Sequence, residues 1–297
     1  MEKISGYFVQ YHAAVLFSLV YFAAVGYVGL SLILRRASLF GLVLSQVAQV
    51  SFLLGLAVAA ALQGHEHVYA MINRSGSVGG DWHFLEIDMF VVPITLGLML
   101  PFVYFAIRGS RNKETLLVLA LVLALAAYPL INKIFGGTDV VLAKAYFTEI
   151  LYTPAPMFVH YLPPLAILLA ILALFQRQLM LSAFDAVQAR LIGIHPVWAD
   201  TLFYFAAGLL LSFAVRVLGA YVAIAALIVP GYVALFLMRT MRGVIAMTIL
   251  LSVLLPAIGF VFAFRFDNIS TEPFLTAFII LVGGLLLACH KIYFRLR

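Results

Sequence analysis

Nine apolar runs, each close to the length of a bilayer crossing, take up most of this 297-residue chain. They fall near 12–33, 39–62, 90–107, 114–132, 158–176, 200–218, 220–238, 243–264 and 273–290. A helix needs about 20 consecutive apolar residues to cross the hydrocarbon core. The connecting stretches are too short to fold as domains of their own. Composition agrees, with 65% hydrophobic and 10% charged residues and a mean hydropathy of +1.14. A globular domain carries about 25% charged residues to cover its surface, so this chain could not clothe a soluble core of its own size. Lipid removes that requirement. The expected fold is all-α, a polytopic membrane bundle of about nine transmembrane helices, with residues 1–297 forming a single membrane domain.

The pair 200–218 and 220–238 is the least regular, being separated by Gly219 alone and holding Pro230-Gly231 in its second member. Short broken helices are therefore expected near 216–231. Irregular backbone at that depth must be buried in protein or line a cavity, because lipid cannot satisfy free amides. The connecting segments sort by charge. One set, from Arg35 and Arg36 through Arg177 and Arg190 to Arg297, holds twelve basic residues against three acids. The other holds five basic residues against nine acids, and Arg216 lies within a span. The positive-inside rule puts the first set in the cytoplasm, which places the N-terminus outside and the C-terminus inside. That orientation requires an odd number of spans. The net charge of +6 is thus juxtamembrane, and nucleic acid is not an expected partner. No removed signal peptide is expected, since no small-residue cleavage site follows the first apolar run. The lone Cys289 excludes an internal disulfide and a cysteine-cluster metal site.

Residues 177–199 form the one long connection on the basic side. Between Ser182 and Gly193 the pattern is that of a short amphipathic helix, with Phe184, Val187 and Leu191 on one side and Asp185, Gln188 and Arg190 on the other. Ser182 is a candidate cap for its start and Gly193 for its end. Such a helix suits either a docking point for a motor subunit or an interfacial helix resting on lipid headgroups. The stretch FDAVQARLIGI (184–194) resembles the coupling-helix segment of permeases in the zinc, manganese and iron group of ABC importers. Three more stretches agree in order. LRRASLFGLVLSQVA (34–48) is similar to that family's second-span entrance, whose usual form is RR-x-S-x-x-GDALSHA. RVLGAYVAIAALIVPGYVA (216–234) and FRFDNISTEPFLTAFIIL (264–281) resemble its later spans.

The resemblance implies a non-catalytic permease subunit working as a dimer, with a second permease protomer identical or similar to this one. A separate cytoplasmic ABC ATPase would bind the ATP, consistent with the absence of any G-x-x-x-x-G-K-[ST] loop in this chain. An extracytoplasmic solute-binding protein would deliver the substrate, with Zn²⁺ or Mn²⁺ as candidate cargo. Phe184, Asp185, Gln188, Ala189, Arg190 and Gly193 would meet the ATPase. Leu42, Gln46, Gln49, Arg216 and Pro230 would line the translocation path. One departure stands out. The family's Asp and His, four residues apart on one helix face, fall here on Leu42 and Gln46. Leucine cannot ligate a cation, and an amide oxygen is a weak ligand for zinc. The intramembrane metal site is therefore not carried over.

A substitute is offered outside the membrane, where His65, His67, Asp81, His83, Glu86 and Asp88 cluster within 25 residues or so. The same stretch, with Gly76, Gly79 and Gly80, also suits a flexible polar loop. His160 is expected to be a satisfied interfacial histidine. Arg216 is expected to face the path, to pair with a carboxylate such as Asp200, or to snorkel. A membrane metalloenzyme fits poorly, because His65-Glu66-His67 lacks the H-E-x-x-H spacing. A same-fold permease carrying a non-metal solute is the remaining alternative, favoured by Leu42 and Gln46.

Overall fold

The computed structural model describes residues 2–63, 83–108, 113–134, 155–265 and 270–295. Its helices are α1 (Glu2–Leu34), α2 (Ser38–Gln63), α3 (His83–Arg108), α4 (Lys113–Ile134), α5 (Ala155–Leu174), α6 (Gln176–Phe184), α7 (Ala186–Leu191), α8 (Pro196–Leu218), α9 (Ala220–Leu237), α10 (Met241–Ala263) and α11 (Thr271–Arg295). Every one of the nine apolar runs is helical. Six of them, in α1, α2 and α8–α11, are long and apolar enough by themselves to cross a membrane. Among the described residues α5 and α6 pass the same test as a pair, bent by 61° at their junction, which makes up to seven crossings if the pair counts as one span. The apolar stretches of α3 and α4 are shorter, Met89–Pro101 and Thr115–Ile131. Two sequence expectations are refined. The break near 216–231 sits at Gly219, and the two helices beside it are full-length. The chain through Pro230 stays helical, since a proline costs a helix only one hydrogen bond and neighbouring helices can accommodate it.

The core is built around α1 and α8. Tyr21, Phe22, Val25, Val28 and Leu32 of α1 are fully buried, because this helix packs on α8, α9 and α10 together. Lipid is as apolar as leucine, so helices in a membrane hold together by close packing rather than by the hydrophobic effect. Gly29 shows how close. A Cβ built on it would lie 1.7 Å from the Leu227 carbonyl oxygen of α9, so the two backbones touch directly. On the other flank α2 packs against α3, α4 and α8. The exposed large side chains, among them Leu123, Leu281 and Leu285, lie on outward faces, as a lipid-facing surface allows.

Candidate functional site

The basic end of the bundle is organised by an elbow. Helix α6 leaves α5 at a sharp bend, and Asp185 then breaks the helix with an extended backbone, φ −145° and ψ 94°. Its carboxylate Oδ1 accepts from the N–H groups of Val187 and Gln188, both at 2.9 Å. Asp185 therefore caps α7, and the expected cap, Ser182, does not. Ser182 lies inside α6, where its hydroxyl donates to Asp200 at 3.0 Å. The far end of α7 closes as expected. Gly193 has φ +82°, its N–H donates to the Arg190 carbonyl at 3.1 Å, and that of Ile194 to the Ala189 carbonyl at 2.9 Å. This pair of bonds needs a left-handed residue, which glycine supplies without strain.

Of α7, Ala189 is fully buried, while Phe184, Val187, Leu191 and Ile192 beside it are 58–82% exposed. Gln188 and Arg190 are exposed as well. The helix thus projects an apolar stripe that this chain leaves uncovered. Behind it Arg35, at the end of α1, forms an ion pair with Asp200 of α8. Its other terminal nitrogen donates to the Leu179 carbonyl of α6 at 2.6 Å, and its guanidinium carbon sits 4.3 Å from the centre of the Phe203 ring. Nothing in the sequence distinguished Arg35 from its neighbour Arg36, because the pairing joins residues 165 positions apart.

The expected path residues divide. Gln46 and Gln49 are buried on one face of α2, with Leu42 a turn earlier and partly buried. Both polar atoms of the Gln49 amide are buried without a hydrogen-bond partner among the described residues. Pro230 is buried within α9. Arg216, 8% exposed, does not pair with Asp200, which Arg35 occupies. The two lie 16 positions apart on one straight helix, about 24 Å. Arg216 instead donates through Nη1 to the Tyr161 hydroxyl at 2.9 Å. Its guanidinium lies 5.3 Å from the Phe52 ring centre and 5.7 Å from that of Tyr161. It is held among aromatic rings inside the bundle and does not snorkel.

One turn beyond Arg216 lies a residue that the sequence reading left among the loop acids. Glu272, in the first turn of α11, is fully buried. Its carboxylate reaches the α8–α9 junction so closely that a Cβ on Gly219 would meet Oε1 at 2.2 Å. The Ser270-Thr271-Glu272-Pro273 sequence is a helix-start pattern, the one signal by which Glu272 could have been placed inside a helix rather than a loop. His160 is partly buried, its ring 5.0 Å from that of Tyr161.

His65, His67 and Asp81 lie outside the described residues, as do the side chains of His83, Glu86 and Asp88 at the start of α3. Among the described residues no group of three or more His, Cys, Asp or Glu could hold a metal ion. Three comparisons bear on this arrangement. The chain is similar in fold to PsaBC from Streptococcus pneumoniae in complex with Fab, with a TM-score of 0.73 and 18% identity over 96% of this chain and 94% of that one. No curated protein matches it. Residues 8–290 match the model of the ABC 3 transport family, and the chain, which that match covers almost end to end, belongs to this family.

Proposed function

We propose that this chain is the membrane-spanning permease subunit of an ATP-driven importer, and that its cargo is a divalent transition-metal ion (zinc, manganese or iron) or a metal-containing ligand. The observation that carries the reading is the α6–α7 elbow. A rigidly capped two-turn helix presents Phe184, Val187 and Leu191 outward, and uncovered apolar side chains on a fixed support are what a partner protein needs to grip. That partner is a cytoplasmic ABC ATPase. It binds and hydrolyses the ATP, and its closure pushes on α7. The permease then exchanges outward for inward opening by rigid-body movement of its helices. A second permease protomer completes the path, and an extracytoplasmic binding protein supplies the cargo to the acidic face, opposite the basic loops. The stretches 34–48, 184–194, 216–234 and 264–281, which resemble permeases of the zinc, manganese and iron group, support a metal cargo.

A second reading has an observation of its own. The α2 face holds Leu42, Gln46 and the unpartnered amide of Gln49, where a bare dication would need carboxylate or imidazole. Those amides suit a neutral, hydrogen-bonding, non-metal solute. One experiment separates the readings. The chain is purified with its adjacent ATPase and binding protein, and ATP hydrolysis and uptake are followed with Zn²⁺ and Mn²⁺. The wild type is compared with a His65→Ala/His67→Ala/His83→Ala variant. Stimulation by a metal that disappears in the variant supports a metal importer with capture at the outer loop. Hydrolysis that never responds to metal rejects the metal cargo and leaves the second reading.

A further inference from the structure

We propose that Arg35 is the joint through which movement of the α6–α7 elbow reaches the membrane core, a positioning role that rests on the motor-docking reading of α7. The elbow is held at few points. Helix α6 stands at 61° to α5, and among the described residues of 176–191 the deeply buried side chains are Leu179, Ser182 and Ala189. Besides the packing of Leu179 in the core, what fixes α6 is a set of polar bonds that converge on the Arg35–Asp200 pair. Arg35 pairs with Asp200 of α8, while its second terminal nitrogen holds the Leu179 carbonyl in the middle of α6 at 2.6 Å. Ser182, one turn along α6, donates to the same Asp200 oxygen at 3.0 Å. Phe203 floors the guanidinium at 4.3 Å. Three helices, α1, α6 and α8, therefore meet at a single planar group.

The chemistry suits a joint better than a general clamp. A guanidinium presents five N–H donors in a rigid fork, so it can hold a carboxylate and a carbonyl in fixed relative directions, which an ammonium cannot. The side chain of Arg35 is 5% exposed and that of Asp200 29%, so water screens these bonds less than it would a fully exposed pair. Beside the joint a narrow cleft opens among Tyr27, Ser31, Gln176, Leu179 and Met180. The bonds to Arg35 and the packing of Leu179 together set the angle of helix α6. A push on α7 that displaces α6 must be passed to Asp200 and so to the foot of α8, and through Arg35 itself to the end of α1.

The test uses the full-length permease in lipid nanodiscs, alone and with its adjacent ATPase and binding protein. Hydrogen exchange over residues 176–191 is read in the permease alone. Uptake of ⁵⁴Mn²⁺ or ⁶⁵Zn²⁺ per ATP hydrolysed is read in the complex. Arg35→Gln and Asp200→Asn should each speed exchange over 176–191 by tenfold or more. Both should retain the ATPase and its basal hydrolysis while uptake per ATP falls at least tenfold. The Arg35→Gln/Asp200→Asn double variant should be no worse than either single one, since one joint is broken only once. Arg35→Lys, which keeps the charge but not the fork, should fall between. Unchanged exchange overturns the proposal, and so does faster exchange with a wild-type ratio of uptake to hydrolysis. Assembly, hydrolysis and uptake falling together in every variant overturns it too, since that is the signature of general damage. If the wild-type complex binds no ATPase and takes up neither metal, the importer reading itself fails. Faster exchange in the variants would then reduce Arg35 to a structural clamp.

Discussion

Alanine at Gly219 meets two separate penalties, and the structure allows each to be sized. The backbone there has φ 80° and ψ 159°, a region almost confined to glycine that costs other residues about 1–3 kcal/mol. The added Cβ would also lie 2.2 Å from Glu272 Oε1 and 2.5 Å from its Cδ, where an unstrained contact is about 3.5–4.0 Å. The carboxylate terminates a flexible side chain and can rotate away. It is fully buried, though, so the move exchanges its present surroundings for poorer ones at roughly 1–3 kcal/mol. The two terms together come to about 2–6 kcal/mol. At about 2 °C per kcal/mol for a chain of this size, the midpoint of thermal unfolding in detergent should drop by about 4–12 °C in Gly219→Ala. The backbone and contact terms can be separated, because Glu272→Ala removes the obstacle but not the strain. The Gly219→Ala/Glu272→Ala double variant should therefore be more stable than the sum of the single effects, by about 1–3 kcal/mol. A Gly219→Ala midpoint within about 1 °C of wild type would refute the reasoning, and strict additivity would refute the contact.

Two smaller perturbations test the site at either end of α8. Asp185→Ala removes the acceptor for the Val187 and Gln188 N–H groups and should cost α7 about 1 kcal/mol, seen as severalfold faster hydrogen exchange at those two amides, whereas Asp185→Asn should retain most of the protection. Tyr161→Phe takes away the hydroxyl that accepts from Arg216 while keeping the ring stacked on Phe213 at 5.5 Å. The buried guanidinium then loses one partner, which should lower stability by about 1–3 kcal/mol in the same unfolding assay. No change there would show that other groups satisfy Arg216.

The helices were legible because their information is local. An apolar run of bilayer length, ended by Gly219 or a basic pair such as Arg35-Arg36, specifies a span without reference to the rest of the chain. The junction at Gly219 could likewise be read from a glycine set between two such runs. Polar partnerships were not legible, because tertiary packing chooses them. Asp200 was a candidate partner for Arg216, which lies on the same helix 16 positions away and cannot reach it, while Arg35, which nothing local linked to Asp200, is brought to it by the packing of α1 on α8. Ser182 looked like a cap because a short polar residue preceded an amphipathic pattern, but α6 continues past it. Asp185 wins the position because its extended backbone aims a carboxylate at two free amides. The burial of Glu272 had no signal beyond a helix-start pattern, since charge alone assigned it to water.

Helix α8 connects these two sets of residues. Asp200 near its first turn belongs to the Arg35 joint, and Arg216 near its last turn sits among Tyr161 and Phe52 beside the Glu272–Gly219 contact. Between them the helix runs from Pro196 to Leu218 without an internal proline, so it bends little and acts as a rod of about 24 Å between the two side chains. A tilt of only about 5° at the Asp200 end then displaces the Arg216 end by about 2 Å, the size of helix shift by which packed proteins switch between discrete states. Gly219 makes that displacement consequential. Its single residue joins α8 to α9 with no slack, and α9 touches α1 backbone to backbone at Gly29. Movement of the rod must accordingly be shared by α9 and by the buried carboxylate at the junction. An elbow at one end of the bundle and a buried polar cluster at the other are thus mechanically one unit. Helix α2, which carries Gln46 and Gln49, packs against the side of that rod, so a change in its tilt bears on α2 as well.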